Sequence, residues 1–68
     1  MEKEKAKLKA LIKHWIEHTR EHRKNFKKWS EKADEMKMVK TSEYLLKAAE
    51  ATEKTIEYLE KAYREVDT

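Results

Sequence analysis

Residues 8–36 read LKALIKHWIEHTREHRKNFKKWSEKADEM, and within them Leu8, Ile12, Trp15, Thr19, His22, Phe26, Trp29, Ala33 and Met36 recur in alternating steps of four and three. That spacing keeps side chains on one side of an α-helix, where 3.6 residues complete a turn, and it is the seam pattern of packed helices. A second stripe follows: Leu45, Ala48, Thr52, Thr55, Leu59, Ala62 and Val66, with Ala49, Ile56 and Tyr63 beside it. Between the stripes, around Lys37 to Ser42, the phase breaks. Thr41 and Ser42 are capping types, but neither is followed three residues later by Glu or Gln, so no capping box marks the restart. The reading is an all-α chain with helices at about 3–36 and about 40–66. A break near 25–30, at Asn25 or Ser30, is the alternative and makes three helices. No strong helix breaker supports it.

Composition fits this reading. The chain has 68 residues, enough for one domain, and neither Gly nor Pro to punctuate turns. Charged residues make up 46% of it and hydrophobic residues 38%. The apolar minority is regularly spaced, which argues for folding rather than disorder. There is no Cys, so disulfides and thiolate-bound zinc are excluded. A chain this short needs some other support, and oligomerisation is the common one. Its Lys/Glu-rich, Cys-free composition matches thermophile usage. The longest apolar run is Tyr44-Leu45-Leu46, too short to span a membrane. No signal-peptide pattern opens the chain, and a cytoplasmic location is expected.

A short connection makes the two helices antiparallel. With the turn near 37–39, residues whose numbers sum to about 77 face each other, because both helices rise equally. That register sets large against small: Trp29 against Ala48 and Ala49, Trp15 against Ala62, Phe26 against Thr52, and His22 against Thr55. Residues 1–40 carry 13 basic and 7 acidic side chains, whereas 41–68 carry 4 and 7, a modest electrostatic preference for the pairing. Trp15, Phe26, Trp29, Leu45, Ile56 and Leu59 are the expected core. Leu11, Ile16, Tyr44, Ile56, Tyr58 and Tyr63 flank the two seams and widen the apolar surface beyond what one hairpin uses. The expected outcome is a homodimer forming a four-helix bundle.

His14, His18 and His22 stand four residues apart, a spacing that stacks side chains on one helix face. They form two overlapping H-x-x-E-H strings, the inverted zinc-protease motif. Two thin helices supply neither a distant third ligand nor a substrate cleft, so a protease is rejected and no enzyme activity is expected. His14 and His22 lie about 12 Å apart along the axis, too far to share one ion with His18. One adjacent pair, completed by Glu21, Glu17 or a second copy, suits nickel, cobalt, copper or zinc. The bland alternative makes His22 a core histidine bonded to Thr55, His18 a border residue and His14 a solvent-facing one.

The run His14-Trp15-Ile16-Glu17-His18, with His22, Phe26, Trp29 and Glu31-Lys32-Ala33, resembles a family of small archaeal helical domains with an H-W-x-x-H-x-x-x-H first helix. The resemblance implies a helical domain of no assigned activity that sometimes follows a nickel-binding accessory domain. Thr19 stands where Asn is expected and Lys37 where a turn Gly is usual.

A basic group, Lys13, Arg20, Arg23, Lys24, Lys27 and Lys28 with Phe26 and Trp29 interleaved, could grip a nucleic-acid backbone. Glu17, Glu21 and Glu31 interrupt it, and the net charge is only +3. Residues 1–16 are amphipathic and could meet a membrane surface or a partner's groove, or pack in a bundle. The ranking is therefore a non-enzymatic interaction or scaffolding module first, a histidine-based metal-binding accessory module second, and a weak nucleic-acid binder third.

Overall fold

A computed structural model describes residues 1–67 as two helices, α1 (Glu2–Glu35) and α2 (Val39–Glu65), packed antiparallel into a rod 52 × 14 × 11 Å. Each helix starts and ends within one residue of its expected position. α1 is continuous through Asn25 and Ser30, so the three-helix alternative falls. Neither helix has a side-chain cap at its N-terminus, in line with the missing capping box.

The turn is a Schellman motif. Lys37 N–H donates to the Asp34 carbonyl at 2.9 Å and Met38 N–H to the Ala33 carbonyl at 2.8 Å, with Lys37 at φ 62°. These bonds satisfy carbonyls that the end of α1 would leave open. A left-handed backbone crowds the Cβ of any residue but Gly. Lys37→Gly should therefore raise stability by about 0.5–1 kcal/mol, after allowing for the greater freedom of Gly in the unfolded chain. In a small domain that is a melting temperature higher by roughly 2–8 °C. An unchanged or lower melting temperature in a circular-dichroism scan would refute the cost assigned to Lys37.

The seam between the helices differs from the expected one in a regular way. α1 turns Ile12, Ile16, Thr19, Arg23, Phe26, Ser30 and Ala33 toward α2, all buried or half-buried. α2 answers with Ser42, Leu45, Ala49, Thr52, Ile56, Leu59, Tyr63 and Val66. Compared with the predicted stripes, Trp15, His22 and Trp29 give way to Ile16, Arg23 and Ser30. On α2, Ala48, Thr55 and Ala62 give way to Ala49, Ile56 and Tyr63. Each helix is thus rotated by about 50°, half of one residue's 100° step, from the orientation expected. Trp15 is 43% exposed and Trp29 54%, so neither belongs to the core of this hairpin. Phe26, Leu45 and Leu59 are half-buried, and Ile56 is buried as expected.

Packing size explains the rotation. Helices whose axes lie 8–10 Å apart accept Ala, Ser and Ile at the contact more readily than indole. Ala33 and Ala49 fill the turn end, while Ile12, Ile16 and Ile56 form a cluster covered by Leu59, Tyr63 and Val66. Beside the turn, the Ser30 hydroxyl donates to the Ser42 carbonyl at 2.9 Å and the Ser42 hydroxyl to the Ser30 carbonyl at 2.8 Å. At the open end, the Lys9 ammonium donates to Asp67 at 2.6 Å. That bond lifts Lys9 above its usual range and holds Asp67 below the usual carboxylate range. The tie is in place at neutral pH and is lost as acid titrates Asp67 through its lowered value.

Candidate functional site: the histidine column and the uncharged face

One residue before each position of the α1 seam lie Leu11, Trp15, His18, His22, Asn25, Trp29 and, at the turn end, Lys32, with Leu8 continuing the row. One residue before each position of the α2 seam lie Thr41, Tyr44, Ala48, Ala51, Thr55, Tyr58, Ala62 and, at the open end, Glu65. Apart from Lys32 and Glu65 at their ends, neither row contains a Lys, Arg, Asp or Glu, in a chain that is 46% charged. Each row is turned from its seam by the same angle in the same sense. Because the helices run antiparallel, equal turns carry both rows to the same side of the rod.

The opposite side confirms the geometry. One residue after the α1 seam come Lys13, Glu17, Arg20, Lys24, Lys27, Glu31 and Asp34. The matching α2 row is Glu43, Leu46, Glu50, Glu53, Glu57, Glu60 and Arg64. Arg20 and Glu60 meet across these rows at 2.7 Å. The hairpin therefore has one charged face and one uncharged face.

The three histidine rings form a column along α1, neighbours tilted to one another by 37° and 40°. Ring centroids lie 5.8 Å apart for His14 and His18, 4.5 Å for His18 and His22, and 5.8 Å for His22 and Phe26. All three imidazoles are exposed. His18 and His22 stand in the uncharged row, and His14 sits at its rim. The expected core position of His22 is corrected by the same rotation that exposes Trp15. The expected His22–Thr55 hydrogen bond is absent too: the Thr55 hydroxyl donates to the Ala51 carbonyl at 3.1 Å, one turn back on its own helix. Glu21 is exposed, and among the described residues no three His, Asp or Glu side chains converge on a single ion position.

The basic group is dispersed. Lys13, Arg20, Lys24 and Lys27 lie on the charged face beside the glutamates of α2. Arg23 is half-buried in the seam and Lys28 points away from both. Phe26 is in the seam and cannot stack a base. Among the described residues, one shallow, open depression is lined by Lys13, Ile16, Glu17, Arg20, Glu60, Tyr63 and Arg64, and another by residues of the open end around Met1, Leu8 and Val66. Of the residues expected to form a second interface, Ile16 and Ile56 are already buried within the hairpin, while Leu11 and Tyr58 are exposed. No described helix is long and apolar enough to cross a membrane.

The family model for a domain of unknown function, DUF8180, matches residues 8–66. The chain belongs to that family. The matched span of the DUF8180 domain runs from Leu8 to Val66 and so contains both paired helices and both faces. No curated protein and no solved structure matches the chain.

Proposed function

We propose that this DUF8180 domain is a non-enzymatic, cytoplasmic interaction module whose uncharged face pairs with a second copy of itself to form an antiparallel four-helix bundle. The observation that carries this reading is the rotation. In each helix the centre of the apolar stripe points not at the partner helix but about 50° to one side, and both helices turn toward the same open face. A helix in a four-helix bundle has two neighbours, and its core residues bisect the directions to them.

Size and register support a second copy as the occupant. The chain exposes 5716 Å², against about 4,600 Å² for a compact monomer of its mass. The excess of roughly 1,000 Å² matches the ~800 Å² that each partner contributes to a stable interface. A two-fold axis running along the rod places α1 of one copy over α2 of the other at unchanged height. The register near 77 then applies between chains: Trp15 meets the partner's Ala62, Trp29 the partner's Ala48, and His22 the partner's Thr55. At these three positions bulk falls on small side chains, as close packing requires. Lys32 lies 5.4 Å from the Trp29 ring centroid and Lys61 5.8 Å from that of Tyr58, forming a cationic rim to an uncharged patch.

The nucleic-acid reading is weaker, because the glutamates beside Lys13, Arg20, Lys24 and Lys27 repel phosphate as strongly as these cations attract it. Sedimentation equilibrium at tens of micromolar tests the proposal. Wild type should be a dimer, and Trp15→Glu combined with Trp29→Glu should weaken it at least about tenfold while leaving helical content intact. Lys24→Glu, on the other face, should leave association unchanged. A wild-type monomer at ~100 μM, or a dimer indifferent to both tryptophans, would overturn the reading.

A further inference from the structure

We infer that His18 and His22 are half of a divalent transition-metal site that is completed only when two copies of the chain pair through the uncharged face; the inference rests on the self-association proposed above. Two imidazoles bound to one ion at ~2.0–2.1 Å bring their ring centroids to about 4.5–5 Å when the angle at the metal lies between a right angle and the tetrahedral value. His18 and His22 have centroids 4.5 Å apart and need little rearrangement to chelate. His14 and His18, at 5.8 Å, would have to open that angle well beyond tetrahedral. Within one chain the pair has no third ligand, since no group of three metal-binding side chains exists among the described residues.

The second copy supplies what is missing. A two-fold axis along the rod brings every residue to the same height as its own counterpart. His22 lies in the part of the row nearest the seam, so it is turned toward the bundle centre rather than the rim. His22 and His22 of the partner subunit therefore face each other across the axis, each with a His18 one turn away. Four neutral nitrogens around one ion form a tetrahedral set that suits zinc or cobalt, and imidazole is a preferred ligand for both. The uncharged surroundings matter equally. From Leu11 to Trp29 on α1 and from Thr41 to Ala62 on α2 the rows hold no Lys or Arg to repel a dication and no carboxylate to compete for coordination.

Cobalt(II) and zinc chloride, added to the full chain, are the probes. One ion should bind per two chains, cobalt should show the intense visible absorption of a tetrahedral site, and zinc should tighten the dimer at least about tenfold. His18→Ala and His22→Ala should each abolish these effects while keeping wild-type helicity, because both imidazoles are exposed in the single hairpin. His14→Ala should retain them. One ion per chain with no change in association would overturn the inference and leave a simple helix-face chelate. A dimer that binds neither metal would overturn it too, with the self-association reading intact. A chain that stays monomeric with and without zinc would overturn both. Metal-driven dimerisation of an otherwise monomeric chain would uphold the shared site and refute metal-free pairing.

Discussion

Ile56→Ala is expected to lower the stability of the hairpin by about 2–5 kcal/mol, enough to leave much of the chain unfolded at room temperature. Ile56 is 5% exposed and closes the cluster with Ile12 and Ile16. Truncation removes three carbons from the aliphatic cluster that both helices build, and thin helices cannot collapse around the gap. The core is small, with Ile12, Ile16, Ala33, Ala49 and Ile56 as its buried hydrophobic residues, so one deletion removes a large share of it. Lys54→Ala, on the outer surface of α2, should stay within ±0.5 kcal/mol. Urea titration followed at 222 nm measures both. A loss under 1 kcal/mol for Ile56→Ala would mean that the seam is not where it has been placed.

The serine pair gives the second large effect, with an unusual signature. Ser30→Ala should cost roughly 1–3 kcal/mol, because the Ser42 carbonyl loses a donor at a buried contact where water cannot easily replace it. Ser42→Ala should cost a similar amount through the Ser30 carbonyl. The two hydroxyl oxygens are 3.1 Å apart, and each hydroxyl bonds the other residue's backbone. The double variant should therefore cost clearly less than the two single losses added together. Strict additivity in a double-mutant cycle would show that the hydroxyls act independently.

Helix number, helix ends, antiparallel pairing and approximate register were all legible, because 3.6-residue periodicity and a short connection determine them. The facing residues were not. Each helix carries two apolar rows one residue apart, Ile12/Ile16 beside Leu11/Trp15 on α1 and Ala49/Ile56 beside Ala48/Thr55 on α2. A stripe drawn for a single partner averages the two rows and runs between them. Bulk misled as well: Trp15 and Trp29 carry the most apolar surface, yet two helices in close contact select Ser30, Ala33 and Ala49. In the sequence Ser30 reads as a candidate helix break and Ser42 as a capping type. Nothing local marks a pair that bonds across the seam. The proximity of His18 to His22 followed from spacing alone, whereas the exposure of His22 depended on the rotation.

The interhelix polar ties also order the molecule in time. They join residues 12 apart at Ser30–Ser42, 40 apart at Arg20–Glu60 and 58 apart at Lys9–Asp67. Closing the longest of these loops costs about 1.4 kcal/mol more in chain entropy than closing the shortest. The Schellman turn and its serine clasp therefore form the natural nucleus, and pairing proceeds from there like a zip toward Ile12 and Val66. Fraying runs the other way, so the end that holds the largest aliphatic cluster is also the last to close and the first to open.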